Sequence, residues 1–446
     1  MNGPSARGRP VRHLRWYVAA LLCLASELNM LDRQVLSVLA GTIQQELGIT
    51  TAEYAYVTSA FLASYTAMYA VGGRIVDRLG TRRSFLVFVA GWSAANVLHG
   101  FARSAAQLAA FRFLLGATEA ANFPAGVRAV SEWFPMRERA LAVGIFTAGA
   151  AVGSALAAPV ASFLALAYGW QSAFVVTGAL GFVWVAAWAA LFRLPHEHPR
   201  LGPEERALIG AGRDAGEGAE AGAASAPPVP LRTLLGVRAV WGCVLVRALT
   251  DPVTYFLTFW VPKYLQEERG FDLAALGKYG WIPYVALALG SVGGGAAVRL
   301  LVARGWAVDR ARKRVMLAVS LGVPACYLLV TRVGSPALAL LLLALLMFGH
   351  NAWGNVALPA EVLPTRVVAT VTGLGGTVGG LVGIATQLGI GRVVERLSYA
   401  PVFAACAAVY LAAYFVVRRF VGELGVVQPI PVPPLAVPPV AAAPAA

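Results

Sequence analysis

Apolar residues along this chain come in runs of the length that a membrane demands. A helix needs about 20 mainly apolar residues to cross the hydrocarbon layer. Such runs fall at 16–39, 54–75, 85–101, 108–130, 140–166 and 172–191, and again at 240–264, 276–301, 315–330, 337–362, 367–393 and 402–417. Short polar breaks separate them, and the one long break lies between the two sets. The pattern predicts an all-α membrane protein of twelve transmembrane helices in two pseudo-symmetric six-helix bundles. Parallel repeats of this kind bind a solute near the bilayer midplane, between the repeats. The first bundle takes residues 1–193 and the second 237–420. Between them, 194–236 is rich in Gly, Ala, Glu and Pro and reads as a flexible cytoplasmic linker with a short helix at 203–209. The Pro/Ala/Val-rich tail, 421–446, is expected to be disordered. The first run is too long for a signal-peptide core and contains Asn29, Asp32 and Arg33, so it reads as an uncleaved first span.

Composition agrees with a membrane. Hydrophobic residues make up 58% of the 446 and charged ones 13%, with a mean hydropathy of +0.68, against roughly 25% charged in a soluble domain. The net charge of +14 would point to nucleic acid if it formed one solvated face. It sits instead in the breaks: Arg7, Arg9, Arg12 and Arg15 before the first run, and Arg74, Arg78, Arg82 and Arg83 between the second and third. Alternate breaks are poor in basic residues, which places both termini in the cytoplasm. Cys23, Cys243, Cys326 and Cys406 each lie in an apolar stretch without metal-ligand spacing, so no disulfide or metal site is expected.

Ionisable residues inside a membrane span are costly and mark function by default. In the first run Ser26, Asn29, Arg33 and Ser37 share one face, with Asp32 beside it. An Asp32–Arg33 ion pair is the structural alternative. The fourth run carries Arg112 and Glu119, two turns apart, with Asn122 a turn further. At about 10 Å along one helix they cannot pair with each other, and charges on the first helix are the obvious partners. In the second run Phe61, Tyr65 and Tyr69 form a row, which packing alone also explains. Arg247, Asp251 and Tyr255 repeat the spacing in the seventh, where an intrahelical ion pair is the first reading for the charged two. His350, Asn351, Trp353 and Asn355 cluster in the tenth, polar groups beside an aromatic surface as sugar recognition would use, and His350 is also a candidate proton carrier. Arginine in a cavity selects an anion, since its guanidinium stays charged and offers a two-pronged donor. If Asp32 and Glu119 hold the arginines when ionised and release them when protonated, proton and anion binding are linked.

Gly73, Asp77, Arg78, Gly80, Arg82 and Arg83 resemble the cytoplasmic signature loop of the major facilitator superfamily. Asp77 is placed to cap a neighbouring helix or pair with basic residues, latching the halves in one state. Leu31-Asp32-Arg33, the stretch from Arg112 to Pro124 and Glu132-Trp133-Phe134-Pro135 resemble the anion:cation symporters within it. Phe259 to Tyr264, Arg269-Gly270-Phe271, Gly349-His350 with Trp353 and the glycine-rich 373–383 narrow the resemblance to the hexuronate transporters. It implies the major facilitator fold and proton-driven uptake of a sugar acid such as galacturonate or glucuronate. It further implies that Asp32 and Glu119 are proton sites and that Arg33, Tyr65 and Arg112 meet the substrate. Two features depart from related aldonate symporters: Ala148-Gly149-Ala150 replaces an expected amide in the fifth helix, and Gly375-Gly376 an asparagine in the eleventh. Both losses argue against an open-chain aldonate.

The expectation is a proton-coupled symporter in the inner membrane of a bacterium, acting as a monomer without cofactor. Arg33, Tyr65, Arg112, Asn122, Tyr255, His350, Asn351 and Trp353 are the candidate substrate contacts. No phosphate-binding Gly-rich loop with a lysine and no nucleophile constellation points to an enzyme. The alternatives are a symporter of another organic anion, such as an aldonate, tartrate or an aromatic carboxylate, and a membrane sensor that binds such anions without moving them.

Overall fold

The computed structural model describes residues 11–209 and 229–425, without the side chains of 136, 137, 140, 365, 366 and 369. The protein is helical throughout these residues apart from one isolated bridge, Val11 to Leu201. The first half comprises α1 (Leu14–Val38), α2 (Ala40–Leu47), α3 (Thr51–His99), α4 (Ala105–Glu119), α5 (Asn122–Trp133), α6 (Met136–Tyr168) and α7 (Trp170–Leu191), followed by a short α8 at 203–209. The second half comprises α9 (Leu231–Leu235), α10 (Arg238–Arg269), α11 (Leu273–Tyr279), α12 (Ile282–Ala303), α13 (Val308–Leu329), α14 (Pro336–Trp353), α15 (Leu358–Val362), α16 (Thr365–Arg396) and α17 (Ala400–Val416).

Eight stretches among the described residues are long and apolar enough to cross a membrane. The four expected runs that fall short have a visible reason. Those at 54–75 and 85–101 are the arms of α3, which continues through the charged turn between them. The run at 108–130 contains Arg112, Glu119 and Arg128, and α13 opens on Asp309, Arg310, Arg312, Lys313 and Arg314. The outside of the bundle is apolar, with Leu141, Phe163, Val183, Val292, Leu321 and Phe415 all more than half exposed. Such a surface suits lipid, since every helical backbone group already bonds within its own segment.

Within the first half α1 packs on α6 and α7, and α3 on α4, α5 and α7; within the second, α10 packs on α16 and α17, α12 on α14, and α13 on α14 and α17. The halves meet along α3 with α16, α1 and α2 with α10, and α6 with α11 and α12. Three hydrogen bonds cross between halves among the described residues, all at one end: Tyr54 Oη to Phe259 O at 2.7 Å, Gln266 Nε2 to Val38 O at 2.9 Å and Lys263 Nζ to Thr51 Oγ1 at 3.5 Å. At the other end Gly73, Gly144 and Gly373 have no foreign atom near their Cα hydrogens. The halves therefore close at the end holding Thr51 and Lys263, and the hydrogen bonds between them leave out the end holding the turn of α3.

The linker departs from the flexible expectation in its first part. Residues 194–209 dock on the first half: Glu205 accepts from the backbone N–H groups of Leu14 and Arg15, and its carboxylate pairs with the Arg15 guanidinium at 2.7 Å. The same guanidinium pairs with Glu138 at 2.8 Å, so α1, α6 and α8 share one knot. His198 bonds the carbonyl of Leu191, and burial, with Arg193, Arg200 and Arg206 around it, pushes its imidazole pKa below the ordinary value. The start of the expected tail also folds back, Leu424 N–H donating to Asp309 at 2.8 Å and Gly425 N–H to Glu361 O at 3.1 Å. The rest of the linker and of the tail lies outside the described residues.

Candidate functional site

The fourth apolar run is not one helix. α4 stops at Glu119, Ala120 and Ala121 form a turn, and α5 starts at Asn122. The tenth is interrupted too: α14 ends against Gly354 in the left-handed region (φ 70°), and a 3-10 turn over Asn355–Ala357 leads into α15. Interrupted helices at corresponding positions of two repeats point to a binding site, because irregular backbone inside a membrane is tolerated where it lines protein or a cavity.

At the first interruption the buried Glu119 carboxylate takes both Nε and Nη2 of Arg33, at 2.9 and 2.8 Å. The same Nη2 reaches Asn29 Oδ1 at 3.3 Å. Two aromatic faces complete the cradle, since the Arg33 guanidinium carbon stands 4.8 Å from the Tyr65 ring centre and 5.1 Å from that of Phe61. Phe61 in turn meets Phe259 of the second half, edge to face at 6.0 Å. The ion pair thus sits in the first half beside the seam between halves. It is incompletely satisfied: Glu119 Oε1, Asn29 Nδ2 and Asn122 Oδ1 are buried without a partner. Arg112, on α4, gives one hydrogen bond, Nη2 to the Arg33 carbonyl at 3.1 Å, while its Nε and Nη1 are buried and unpartnered. A cluster with this many idle donors and acceptors has the means to take a polar solute or rearrange, since unmet buried polar groups each cost about 1–3 kcal/mol.

Asp32 is elsewhere. One residue along α1 turns the side chain by about 100°, so Asp32 points into the first half. There Asn96 donates to its Oδ1 at 2.7 Å and is itself held by Thr177 Oγ1 at 2.8 Å and Phe174 O at 3.3 Å. Asp32 forms no ion pair with Arg33 and grips no arginine, which corrects both sequence readings of its contacts; its Oδ2 is buried and free. Asn96 and Thr177 were missed as its partners. The available signal was Asn96, which with Ser93 and His99 is a polar residue inside the mainly apolar run at 85–101.

The other candidates separate. Tyr65 stacks between Phe61 and Tyr69, at 5.5 and 6.1 Å, as its spacing predicts. Tyr255 is half-buried and stacks on Phe259. Arg247 and Asp251 form the intrahelical pair at 2.7 Å. The tenth-run cluster does not line one surface, because adjacent helical residues face different ways. His350 turns into the second half, bonded to Tyr410 and, at 3.0 Å, to Thr254. Trp353 is fully buried with its Nε1 on Ser320 at 2.9 Å. Asn351 faces α12, donating to Leu287 O at 3.0 Å, and borders a cavity of about 370 Å³ with Arg312 and Glu361. The shared sugar-facing surface expected for these three is therefore corrected.

The glycine-rich run in α16 has two jobs on two faces. Gly375, Gly379 and Gly383 lie against Arg247, Asp251 and Tyr255 of α10, while Gly376 and Gly380 lie against Tyr69 and Thr66 of α3. A methyl group on Gly383 would come within 2.6 Å of the Tyr255 ring. Bare backbone lets both halves' polar and aromatic residues approach one helix.

In the signature turn Gly80 takes φ 74°, a value open to glycine, and breaks α3 into its two arms. Arg82 caps α7 through Ala189 O at 2.8 Å. Asp77 pairs with Arg128 of α5 at 3.1 Å, within its own half, so it ties α3 to α5 and does not latch the two halves here. Arg78 and Arg83 are exposed, and Gly73 faces open space.

Comparison with known proteins places this architecture. The description Major Facilitator Superfamily matches residues 22–387. The hexuronate transporter of Escherichia coli K12 is 33% identical over 406 residues, 90% of this chain and 92% of its own length. The D-galactonate transporter of E. coli O6:H1 is 30% identical, covering 95% of this chain and 99% of its own. Among solved structures, the inward open conformation of the xylose transporter XylE from E. coli superposes with a TM-score of 0.71 at 14% identity, over 92% of this chain and 97% of that one. A bacterial homologue of the human lysosomal transporter Spinster, inward-facing and occupied, gives 0.69 at 19% identity over 92% and 98%. The chain is a multi-pass membrane protein and no enzyme: it belongs to the major facilitator superfamily.

Proposed function

We propose that the protein is a proton-coupled symporter that brings a sugar acid into the cell, a hexuronate such as galacturonate or glucuronate. The supporting observation is the buried Arg33–Glu119 pair at an interrupted helix beside the seam between halves. A proton on Glu119 removes the negative charge that holds Arg33. The freed guanidinium then takes the substrate carboxylate as a two-pronged donor, with the Tyr65 and Phe61 faces beside it. Loss of the proton restores the ion pair and expels the anion. Asp32, held by Asn96, serves as a second proton site, with Arg112, Asn122 and Tyr255 around the same seam. Relatives that carry hexuronate and galacturonate in their names favour this substrate class. A second reading, another organic anion, is favoured by relatives named for D-galactonate and for galactarate or D-glucarate.

The reading includes twelve spans in two bundles, 1–193 and 237–420, with both termini and the turn at Gly80 in the cytoplasm and the end without hydrogen bonds between halves facing inward. The inner membrane of a bacterium, a monomer and a proton gradient with no cofactor complete it. The test is uptake of labelled galacturonate into proteoliposomes with and without an inward proton gradient, with glucuronate and galactonate as competitors. Accumulation above equilibrium only with the gradient is expected. Equal uptake in both conditions removes the coupling, and no uptake of any sugar acid removes the substrate class.

A further inference from the structure

At the end of the molecule away from the hydrogen bonds between halves, α12 gives way to α13 and α17 runs into the π-turn Val417–Val421. A cavity of about 480 Å³ opens between them. Three arginines line it: Arg310 and Arg314, one turn apart on the first turns of α13, and Arg418 from the turn after α17. The cavity also contains Asp309 and Lys313, but these are spent on the protein. Asp309 takes Lys313 at 2.7 Å and the Leu424 N–H at 2.8 Å, and Lys313 also donates to Gly422 O at 2.8 Å. Arg314 and Arg418 are exposed and make no hydrogen bond or ion pair among the described residues, and Arg310 only covers the Trp306 ring at 4.6 Å. Three like charges thus converge on one hollow whose one lining carboxylate, Asp309, is taken by Lys313, and Glu423, exposed and next to Leu424 in the chain, forms no ion pair with them among the described residues.

The walls of the hollow are amphipathic. Trp306 and Tyr414 stand among the arginines, the residue types that gather at a membrane surface. Leu317 closes its deeper side, and one turn further along the same face Leu321 is 62% exposed, with Phe415 of α17 64% exposed nearby in sequence to Tyr414. The arginine charge therefore continues along α13 into an exposed apolar surface. A free phosphate would use only the charged part.

We propose that this hollow binds an anionic phospholipid, its phosphate among Arg310, Arg314 and Arg418 and its acyl chain along Leu317 and Leu321. Basic pockets between membrane helices at the surface are the sequence-readable form of such sites. With the orientation proposed above the lipid belongs to the cytoplasmic leaflet; the site itself stands whatever the solute carried.

The experiment uses the purified full chain and reads binding, not transport. Native mass spectrometry with phosphatidylglycerol and phosphatidylcholine compares the parent with the triple variant R310Q/R314Q/R418Q, with R103Q as a control for charge alone. Phosphatidylglycerol retention is expected to fall about tenfold or more in the triple variant, with phosphatidylcholine and R103Q unchanged. Equal retention by parent and triple variant overturns the proposal. Displacement of the lipid by millimolar inorganic phosphate also overturns it, by assigning the site to a free anion. Should the triple variant elute as an aggregate, hydrogen exchange on the parent decides. Residues 306–318 and 414–421 are expected to be more protected in nanodiscs of phosphatidylglycerol than of phosphatidylcholine, and equal protection overturns the site.

Discussion

The two halves differ in where their most deeply buried ion pair sits: Arg33–Glu119 joins two helices of the first half, and Arg247–Asp251 lies on one helix of the second. In the second half three ion pairs are local, Arg247 with Asp251, Lys263 with Glu267 and Lys313 with Asp309, each one turn apart on its own helix, while Arg312 of α13 reaches Glu361 of α15 at 3.1 Å. Its interruption at Gly354 is settled as well, with the carbonyl taken by Arg312 at 2.8 Å and Asn355 donating to Thr250 at 2.6 Å. In the first half, Arg33 and Glu119 come from different helices, and Asp32, Glu119, Asn122 and Arg112 all keep buried polar atoms without partners. A pair within one helix moves with that helix and reports nothing. A pair between helices, left partly unmet, has a second arrangement to go to. In the mechanism proposed above, the first half is where a proton would be converted into a change of grip, and the second would supply a wall and a rocking partner.

The largest expected effect comes from removing the charge on that grip. Glu119→Gln leaves the shape of the site and deletes its titration, so proton-driven accumulation is expected to vanish while exchange of internal for external substrate persists. Counterflow and gradient-driven uptake in the same proteoliposomes separate the two. Full accumulation by this variant would place the coupling outside the Arg33–Glu119 pair and end the contrast between halves.

The next effect concerns Asp32. Asn96→Leu removes the amide donor on Asp32 Oδ1 and leaves Thr177 without a partner for its hydroxyl oxygen from that side. Losing a partner at a buried polar group costs about 1–3 kcal/mol. A lowered thermal midpoint with a clearly reduced, yet measurable, proton-driven rate is expected, and Asn96→Asp with Asp32→Asn is expected to restore part of both. A variant as stable and as active as the parent would make Asp32 a bystander.

The sequence carried eight of the twelve expected spans, the charged turn, the meeting of Glu119 with a charge of the first helix and the aromatic row, because each depends on a period along one helix or on the rule that a buried charge needs an opposite one. What it did not carry is direction. His350, Asn351 and Trp353 are neighbours in the chain and face Tyr410, Leu287 and Ser320 respectively, since a helix spreads adjacent residues around its axis. The same geometry sent Asp32 to Asn96 and Arg33 to Glu119. Asp77 found Arg128 in its own half because which end is closed is a property of the conformation, which no local pattern states. The linker looked flexible by composition, yet Glu205 at the two free N–H groups opening α1, His198 on the Leu191 carbonyl and the Val11–Leu201 bridge dock its first part.

The smallest effect tests the second half. Arg247 and Asp251 are both largely buried, with side-chain exposures of 15% and 7%, and each satisfies the other. Breaking such a pair from one side leaves a buried charge and costs about 3–5 kcal/mol, whereas replacing both partners is often neutral. Asp251→Asn alone should therefore lower stability more than Arg247→Gln with Asp251→Asn together. The double variant should keep gradient-driven uptake close to the parent's once expression is matched. The thermal midpoints of the four members of this cycle measure the coupling directly, and the uptake rates say whether it has any bearing on transport. If the double variant is stable but loses accumulation as Glu119→Gln does, then a local pair on α10 takes part in the proton's work. The division between a responsive half and a passive one would then have to be redrawn around α16, whose glycines bring Arg247 and Tyr69 to the same place.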